Sequence, residues 1–372
     1  MKALTPSGRV VAVAAVILAV GAVALHYPEL VVVSVGAAVA VLGALVWTRR
    51  DHPVVIGRTL THSRVAVGAP AEAVVTVTRT RPGGRGQGPT LRGRDRIQIG
   101  QAPAEEVDVL LPPATDGSGP PATYPVPTGR RGVVTLGPLV VDRVDPLGLA
   151  RRTIGRAEAT TLWVHPRVHV TVAPGGGRRA HPEGGDDVSS PQATTTFESL
   201  REYVIGDDLR RIHWRSTAHV GTLMVRNDLD TALPTCVLWL DTDRASYTSD
   251  EQFEEAVEVT ASVVVAAVGD AVPVRLMSSG GLDVDGTRCS RTDLLDRLTT
   301  IELDDRGPTG GRDRLRDPRR TLLLVAVTGP ASHGDAGRLE LLGRRFGEAV
   351  VLRVGEGPTA ADLCRSWTGA AR

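Results

Sequence analysis

Two long apolar runs open the chain, and a short turn with polar residues separates them. Residues Val10 to Leu25 and Leu30 to Trp47 contain no charged side chain, and Pro28 in the turn interrupts helical hydrogen bonding. Each run would span roughly 24–27 Å as a helix at ~1.5 Å per residue, close to a hydrocarbon core of ~30 Å. The pattern therefore predicts a transmembrane helical hairpin over residues 1–50.

The charges around the hairpin predict its orientation. Lys2 and Arg9 lie at the start of the chain and Arg49 and Arg50 follow the second run, whereas the turn carries only Glu29. By the positive-inside rule, both ends of the hairpin and the bulk of the chain are expected in the cytoplasm, at the inner or plasma membrane. A cleaved signal peptide is the alternative, although a second apolar run follows at once.

Residues 53–172 show the alternation of apolar and polar positions that is typical of β-strands. Period-two stretches such as 71–79 and 106–110 are separated by segments rich in glycine and proline, and no helical period of useful length occurs. This pattern predicts a small antiparallel β-sandwich. The glycine-rich tract 173–196 is expected to be a flexible loop.

Strand and helix patterns alternate over residues 233–372. Buried strands are predicted at 235–240, 272–277, 321–327 and 349–354, with helices at 252–268, 292–299 and 336–346. Such alternation favours a largely parallel sheet with right-handed crossovers. The expected fold is thus a membrane-anchored chain with a β-rich domain and an α/β domain.

Composition excludes several kinds of chemistry. The 43 basic residues nearly balance the 42 acidic ones, which disfavours a dedicated nucleic-acid binder. Lys2 is the only lysine, so the fold offers neither a Walker A lysine nor a lysine Schiff base. The widely separated Cys236, Cys289 and Cys364 predict neither a zinc site nor a disulfide framework.

The segment 197–232 between the two domains carries the most specific motif. Residues 197–219 read Phe-Glu-Ser-Leu-Arg-Glu-Tyr-Val-Ile-Gly-Asp-Asp-Leu-Arg-Arg-Ile-His-Trp-Arg-Ser-Thr-Ala-His. Gly206 could end a helix, and Asp207 or Asp208 could cap a following turn. One interpretation makes Ile212 and Trp214 core anchors. The other makes the segment a charged docking surface, because Arg, Trp and Tyr dominate interface hot spots.

This segment closely resembles the signature of the bacterial domain-of-unknown-function fifty-eight family. The upstream Arg131-Gly-x-x-x-Leu-Gly-Pro and Asp145-Pro-Leu-Gly-Leu motifs and the order of the domains resemble that family too. His219 is a departure, since a basic Arg or Lys is expected there. The resemblance implies a C-terminal domain similar to a von Willebrand factor A domain, association with a MoxR-type AAA+ ATPase, and no established catalytic activity.

In a domain of that kind, a metal site would follow the first strand as Asp-x-Ser-x-Ser. The corresponding residues are Asp241-Thr-Asp-Arg-Ala, so Asp241 and Asp243 could ligate Mg²⁺ but Ala245 offers no oxygen. The alternative is that these carboxylates cap the following loop. His213 and His219 lie six residues apart, which does not align them on one helix face.

The sequence therefore leaves two hypotheses. The first is a non-enzymatic, membrane-anchored adaptor that needs no cofactor and binds a protein partner, such as a MoxR-type ATPase, through residues of the signature segment: Arg201, Tyr203, Asp207, Asp208, Arg210, Arg211 and Trp214. The second is a metal-dependent hydrolase in which Asp207 and Asp208 converge with Asp241 and Asp243 on an ion. Binding of RNA or anionic lipid by arginine-rich loops is disfavoured, because acidic residues lie beside them.

Overall fold

A computed structural model describes residues 3–49, 54–79, 91–112, 119–174, 197–203, 212–228, 235–305, 321–331, 348–355 and 357–370. The chain divides into two compact units. The first comprises Met1–Arg167 with Leu295–Ile301, and the second Val168–Leu294 with Glu302–Arg372. The predicted hairpin, residues 1–50, and the predicted β-rich domain, residues 53–172, thus fall largely in one unit. The loop predicted at 173–196 lies almost wholly outside the described residues.

The first unit begins with two helices, α1 (Pro6–Leu25) and α2 (Pro28–Arg49), which pack against each other. Thr5 caps α1 by accepting a hydrogen bond from the Gly8 N–H, and His26 ends it in a left-handed conformation at φ 56°. Both helices are long and apolar enough to cross a membrane, and only 17% of the most apolar stretch of each is buried. A signal sequence near an N-terminus would satisfy the same criteria of length and composition.

Ten strands follow among the described residues of the first unit. They are β1 (Val54–Leu60), β2 (Arg64–Ala66), β3 (Glu72–Arg79), β4 (Leu91–Ile99), β5 (Glu105–Leu111), β6 (Ala122–Pro125), β7 (Gly132–Leu136), β8 (Leu139–Val144), β9 (Arg151–Ala157) and β10 (Thr160–His165). They form a three-stranded sheet, β1-β3-β6, and a larger sheet ordered β2-β10-β7-β4-β8-β9 with β5 paired to β4. All pairs are antiparallel except β2 with β10.

The two sheets share one hydrophobic core. Val75 and Val77 from β3 lie in it with Leu136, Leu139 and Val141 from the larger sheet. Burial alternates along β4, as the period-two pattern predicts for a strand with one face inward. A β-rich body is confirmed, and the described part of residues 54–167 contains no helix.

The second unit contains a hairpin of β11 (Phe197–Glu202) and β12 (Met224–Asp228), with the short helix α3 (Trp214–Val220) between them. A five-stranded sheet follows, ordered β15-β14-β13-β16-β17. Its strands are β13 (Thr235–Leu240), β14 (Val274–Ser278), β15 (Asp283–Asp285), β16 (Thr321–Thr328) and β17 (Glu348–Arg353). Four strands run parallel, and β15 adds an antiparallel edge.

Helix α4 (Asp250–Gly269) connects β13 to the parallel strand β14. Its apolar positions, including Phe253, Val257 and Val264, are buried, and Ser249 caps its start. Two further helices are α5 (Arg291–Thr299) and α6 (Ala360–Ala370). Residues of α5 up to Leu294 belong to the second unit, and those from Leu295 belong to the first. The predicted α/β character is confirmed, α6 was not predicted, and the helix predicted at 336–346 lies outside the described residues.

Candidate functional site

The signature segment begins as a strand rather than as a helix. Strand β11 pairs antiparallel with β12, and the Tyr203 N–H donates to the Leu223 carbonyl at 2.7 Å. The prediction that a helix precedes Gly206 is therefore wrong for residues 197–203, and residues 204–211 lie outside the described part of the chain. A partner strand about twenty residues downstream satisfies the backbone groups, and local pattern alone does not reveal such pairing.

Helix α3 occupies the second half of the signature segment. His213 caps its start, since its ring accepts a hydrogen bond from the Ser216 N–H, and Gly221 ends it in a left-handed conformation at φ 82°. None of the helical residues is buried. Ile212, immediately before the helix, is only 7% exposed, whereas Trp214 is 67% exposed. The core-anchor interpretation thus holds for Ile212 and is wrong for Trp214.

Two further apolar side chains near α3 are open to solvent. Val220 is 57% exposed and Leu223 is 41% exposed. The indole of Trp214 contributes little to folding, because most of its apolar surface is not removed from water and α3 buries none of its residues. This group of three, Trp214, Val220 and Leu223, is called the α3 patch below.

The other residues predicted for partner binding are only partly described. Arg201 lies in β11 with its backbone opposite Val225, and Tyr203 follows the strand and is half-buried. Asp207, Asp208, Arg210 and Arg211 lie outside the described residues. His219 is exposed in the last turn of α3, whereas His213 is half-buried and caps the start of that helix.

A second cluster surrounds Asp241 at the carboxyl edge of the parallel sheet. This side chain is buried, and its Oδ2 accepts hydrogen bonds from Ser246 Oγ at 2.7 Å and Thr328 Oγ1 at 2.8 Å. Its Oδ1 accepts from the Asp243 N–H at 3.0 Å and from Ser279 Oγ at 3.2 Å. Among the described residues, hydroxyls and a backbone N–H hold this carboxylate, with no ion pair.

The topology explains this convergence. Asp241 follows β13, Ser279 follows β14, and Thr328 ends β16, and these three strands are neighbours that run parallel. The carboxyl ends of parallel strands meet at one edge, where open α/β sheets commonly bind ligands. Ser246, Ser279 and Thr328 were not predicted from the sequence. For Ser279 and Thr328 a signal was available, because hydroxyl residues follow the strands predicted at 272–277 and 321–327, whereas Ser246 lies five residues beyond Asp241 and follows no strand.

Asp243 has a more local role in the described structure. Its Oδ1 accepts a hydrogen bond from the Ala245 N–H at 3.0 Å and so caps a single 3-10 turn, Arg244–Ser246. The Tyr247 hydroxyl donates to the Asp241 carbonyl at 2.6 Å. Burial, together with the negative charges of Asp241 and Asp243, raises the pKa of Tyr247 well above its ordinary value. Tyr247 therefore acts as a neutral donor here.

The donor set at this edge fits a hard cation only in part. Carboxylate and hydroxyl oxygens are ligands that Mg²⁺ accepts. However, no group of three or more His, Cys, Asp or Glu side chains able to hold a metal occurs among the described residues. Ala245 supplies no side-chain oxygen, and Asp207 and Asp208 are not described. All three cysteines are free thiols.

Comparison with known proteins identifies the family. The family described as "Protein of unknown function DUF58" matches residues 199–324, which include most of β11, all of α3, and Asp241. Residues 199–324 of this chain therefore match the DUF58 family. No curated protein matches it.

Among solved structures, the chain is similar to the alkylpurine DNA glycosylase AlkC of Pseudomonas fluorescens, bound to DNA with an abasic-site analog. The identity is 12%, the TM-score 0.21, and the match covers 36% of this chain and 38% of AlkC. The sporulation control protein Spo0M of Bacillus subtilis matches with 14% identity and a TM-score of 0.15, over 31% of this chain and 50% of Spo0M. The chain thus spans half or less of these proteins, and neither similarity supports a function.

Proposed function

We propose that this DUF58 protein is a non-enzymatic, membrane-anchored adaptor that binds a protein partner through its signature segment and α/β domain. One observation carries the proposal: Trp214 is two-thirds exposed on a helix that has no buried residue. An exposed tryptophan inside the region that defines the family has no role in the core. Tryptophan is among the residues most enriched at interface hot spots.

Two observations support the anchor: the two apolar helices, and the contacts at the start of α1. The Thr5 N–H donates to the Leu149 carbonyl at 3.0 Å, and the Arg151 N–H donates to the Ala3 carbonyl at 2.8 Å. Cleavage of α1 as a signal peptide would remove these contacts from the β-rich body. Retention of α1 and α2 as a hairpin keeps them, with both helix ends and the body in the cytoplasm of a plasma or inner membrane.

The nature of the partner comes from the family resemblance. Proteins of this kind are commonly encoded beside MoxR-type AAA+ ATPases, so such an ATPase is the proposed partner. A von Willebrand factor A-like assignment of the α/β unit agrees with its mainly parallel sheet and with the oxygen cluster at the carboxyl edge of that sheet. A nucleic-acid partner is not proposed, since the net charge is only +1.

A pull-down from a detergent extract with the tagged full chain tests the proposal. We expect recovery of an AAA+ ATPase in at least one of three conditions: ATP, ADP or no nucleotide. Trp214→Ala should abolish recovery, and Val170→Ala, at another exposed apolar residue of the same unit, should not. Arg211→Ala tests the undescribed part of the signature. Recovery of no ATPase in any condition, or equal recovery with Trp214→Ala, would contradict the adaptor model.

The oxygen cluster supports a second candidate, a metal-dependent hydrolase that uses Asp241 and Asp243. A bound Mg²⁺ would supply Lewis-acid chemistry at the sheet edge, with Asp241, Ser246, Ser279 and Thr328 as the residues able to hold it. A titration of the full chain with Mg²⁺, followed by thermal unfolding, separates the two candidates. A rise in melting temperature with Mg²⁺ that disappears in Asp241→Asn would favour the metal-dependent hydrolase. No rise in melting temperature would favour the adaptor.

A further inference from the structure

The loop Asp145–Ala150, between β8 and β9, is attached to the start of α1. The Thr5 hydroxyl donates to the Gly148 carbonyl at 2.6 Å. A Cβ on Gly8 would lie only 1.8 Å from the Leu149 carbonyl oxygen, so the helix backbone touches the loop directly. The loop is therefore part of the base of the helical hairpin.

The same loop reaches apolar parts of both helices. Leu149 and Ala150 share a buried cluster with Val41 and Ala44 of α2, and Val11 and Ala12 of α1 pack against this cluster. All four helical residues belong to the two uncharged runs of the sequence. If these runs lie in a bilayer, the loop must lie at the boundary between headgroups and hydrocarbon.

Hydrogen bonds to Asp145 fix the conformation of the loop. Asp145 is buried, and its carboxylate accepts hydrogen bonds from the Leu147 N–H at 2.9 Å and the Ala150 N–H at 2.5 Å. The Gly148 N–H donates to the Asp145 carbonyl at 2.9 Å, and Gly148 has a φ of 68°, which favours glycine. This ordered turn leaves Leu147 66% exposed.

We propose that this loop is a third membrane contact, with Leu147 inserted into the interfacial layer of the bilayer beside α1 and α2. The inference rests on the proposed membrane anchor. An isolated exposed leucine is ordinary in a soluble protein. Leu147 differs because the turn that presents it contacts helix residues at the start of the first apolar run and near the end of the second. There, burial of its side chain in lipid is favourable.

Aromatic and basic groups around the loop suit the same layer. The Arg143 guanidinium lies over the Trp47 ring, 5.9 Å from its centroid, and Arg152 Nη1 donates to the Arg49 carbonyl at 3.2 Å. Tryptophan and arginine are the usual residues at the level of the headgroups. The ligand is therefore the bilayer surface, with phosphate headgroups beside the exposed Arg152, whereas Arg143 is buried against Trp47.

Spin labels on the full chain in vesicles of phosphatidylcholine and phosphatidylglycerol test the proposal. Labels are placed by Leu147→Cys, Leu110→Cys and Val39→Cys in a Cys289→Ser background, and the labelled background itself serves as the blank. Leu110 on β5 is the matched control at 67% exposure, and Val39 on α2, at 61%, reports on the anchor. Collisions with oxygen, which partitions into lipid, are compared with collisions with a water-soluble nickel chelate.

We expect the oxygen-to-nickel collision ratio at position 147 to be several-fold higher than at position 110 and similar to that at position 39. A ratio at 147 equal to that at 110, with a lipid-like ratio at 39, would overturn the loop contact and leave the anchor intact. A water-like ratio at 39 would overturn the anchor and, with it, the loop contact.

Discussion

Two buried aspartates, one in each unit, are held in opposite ways. Asp95 on β4 forms an ion pair with the buried Arg58, with Nη1 at 2.9 and 2.7 Å from its two carboxylate oxygens, and the Tyr124 hydroxyl donates to it as well. Asp241 is equally hidden but is held by three hydroxyls and one backbone N–H. One charge is neutralised inside the core, and the other is only solvated by dipoles.

The difference separates a structural group from a candidate binding group. Arg58 also donates to the Leu136 carbonyl at 2.9 Å and to Thr160 Oγ1 at 3.1 Å, so this pair links strands of both sheets. Burial and the neighbouring Asp95 carboxylate raise the pKa of Tyr124, which keeps it a neutral donor. Asp241 lies instead at a sheet edge, where a negative charge without a cationic partner among the described residues suits an incoming cation.

The largest expected effect is at the neutralised pair. Arg58→Ala should destabilise the first unit by about 3–5 kcal/mol, because Asp95 would remain buried without its counter-charge. Thermal or denaturant unfolding of the full chain in detergent measures the loss. Arg96→Ala, on the strand that carries Asp95, is the control, since Arg96 and Glu106 form an exposed pair at 3.7 Å that should contribute at most ~1 kcal/mol. Equal losses in the two variants would remove the distinction.

A smaller effect is expected at the dipole-solvated charge. Asp241→Asn keeps the size of the side chain but weakens charge-assisted hydrogen bonds, each worth about 1.5–3 kcal/mol, so we expect a loss of about 2–3 kcal/mol. The measurement is again unfolding of the full chain. Asp243→Asn, which disturbs only the cap of one 3-10 turn, should cost about 1 kcal/mol or less. A stabilised Asp241→Asn variant would indicate that the buried charge is kept for binding at the expense of stability.

Asp296 gives an intermediate case in the first unit. It accepts hydrogen bonds from Arg64 at 2.8 Å and from His165 at 2.7 Å. The hydrogen bond from Arg64 and, to a lesser extent, that from His165 hold the pKa of Asp296 below its ordinary value. A lowered folded-state pKa stabilises the fold above the unfolded pKa, and this contribution is lost as the pH falls through the folded value.

Asp296→Asn should therefore lower the melting temperature at pH 7, by an amount corresponding to at most ~1 kcal/mol, because Arg64 is partly exposed. The difference from the unsubstituted chain should shrink as the pH falls below ~4. Melting curves at a series of pH values check this. A difference that is constant with pH would show that the carboxylate charge is not the source of the stabilisation.

Elements that local pattern encodes were predicted well. The apolar runs anticipated α1 and α2, and the buried strand at 235–240 and the helix at 252–268 match β13 and α4 within two residues. Strand β11 was mistaken for helix because its partner, β12, lies more than twenty residues away. Helix α6 was missed although its buried residues, Ala360, Leu363, Cys364 and Trp367, follow the spacing of three and four residues that is typical of a helix. The β-sandwich was predicted as a class, but the order of its strands depends on pairing that local pattern does not encode.

The candidate sites show the same limit. Asp241 was found because it follows an obvious strand, whereas its partners Ser246, Ser279 and Thr328 come together only through the strand order. The exposure of Trp214 could not be derived from composition, since tryptophan is as suited to a core as to an interface. Ile212 and Trp214 are two residues apart and have opposite environments.

The smallest expected change in stability is for substitution of Trp214. For this residue the comparison is between the free energy of unfolding and the affinity for a partner. Because its indole is 67% exposed and α3 has no buried residue, Trp214→Ala should alter the free energy of unfolding by less than ~0.5 kcal/mol. If the α3 patch binds a partner, the same substitution should weaken binding by about 2 kcal/mol or more, roughly a thirtyfold rise in Kd. Parallel measurements of unfolding and of partner affinity check this. A substantial loss of stability would make Trp214 a structural residue, and an unchanged affinity for a recovered ATPase would place the docking surface elsewhere.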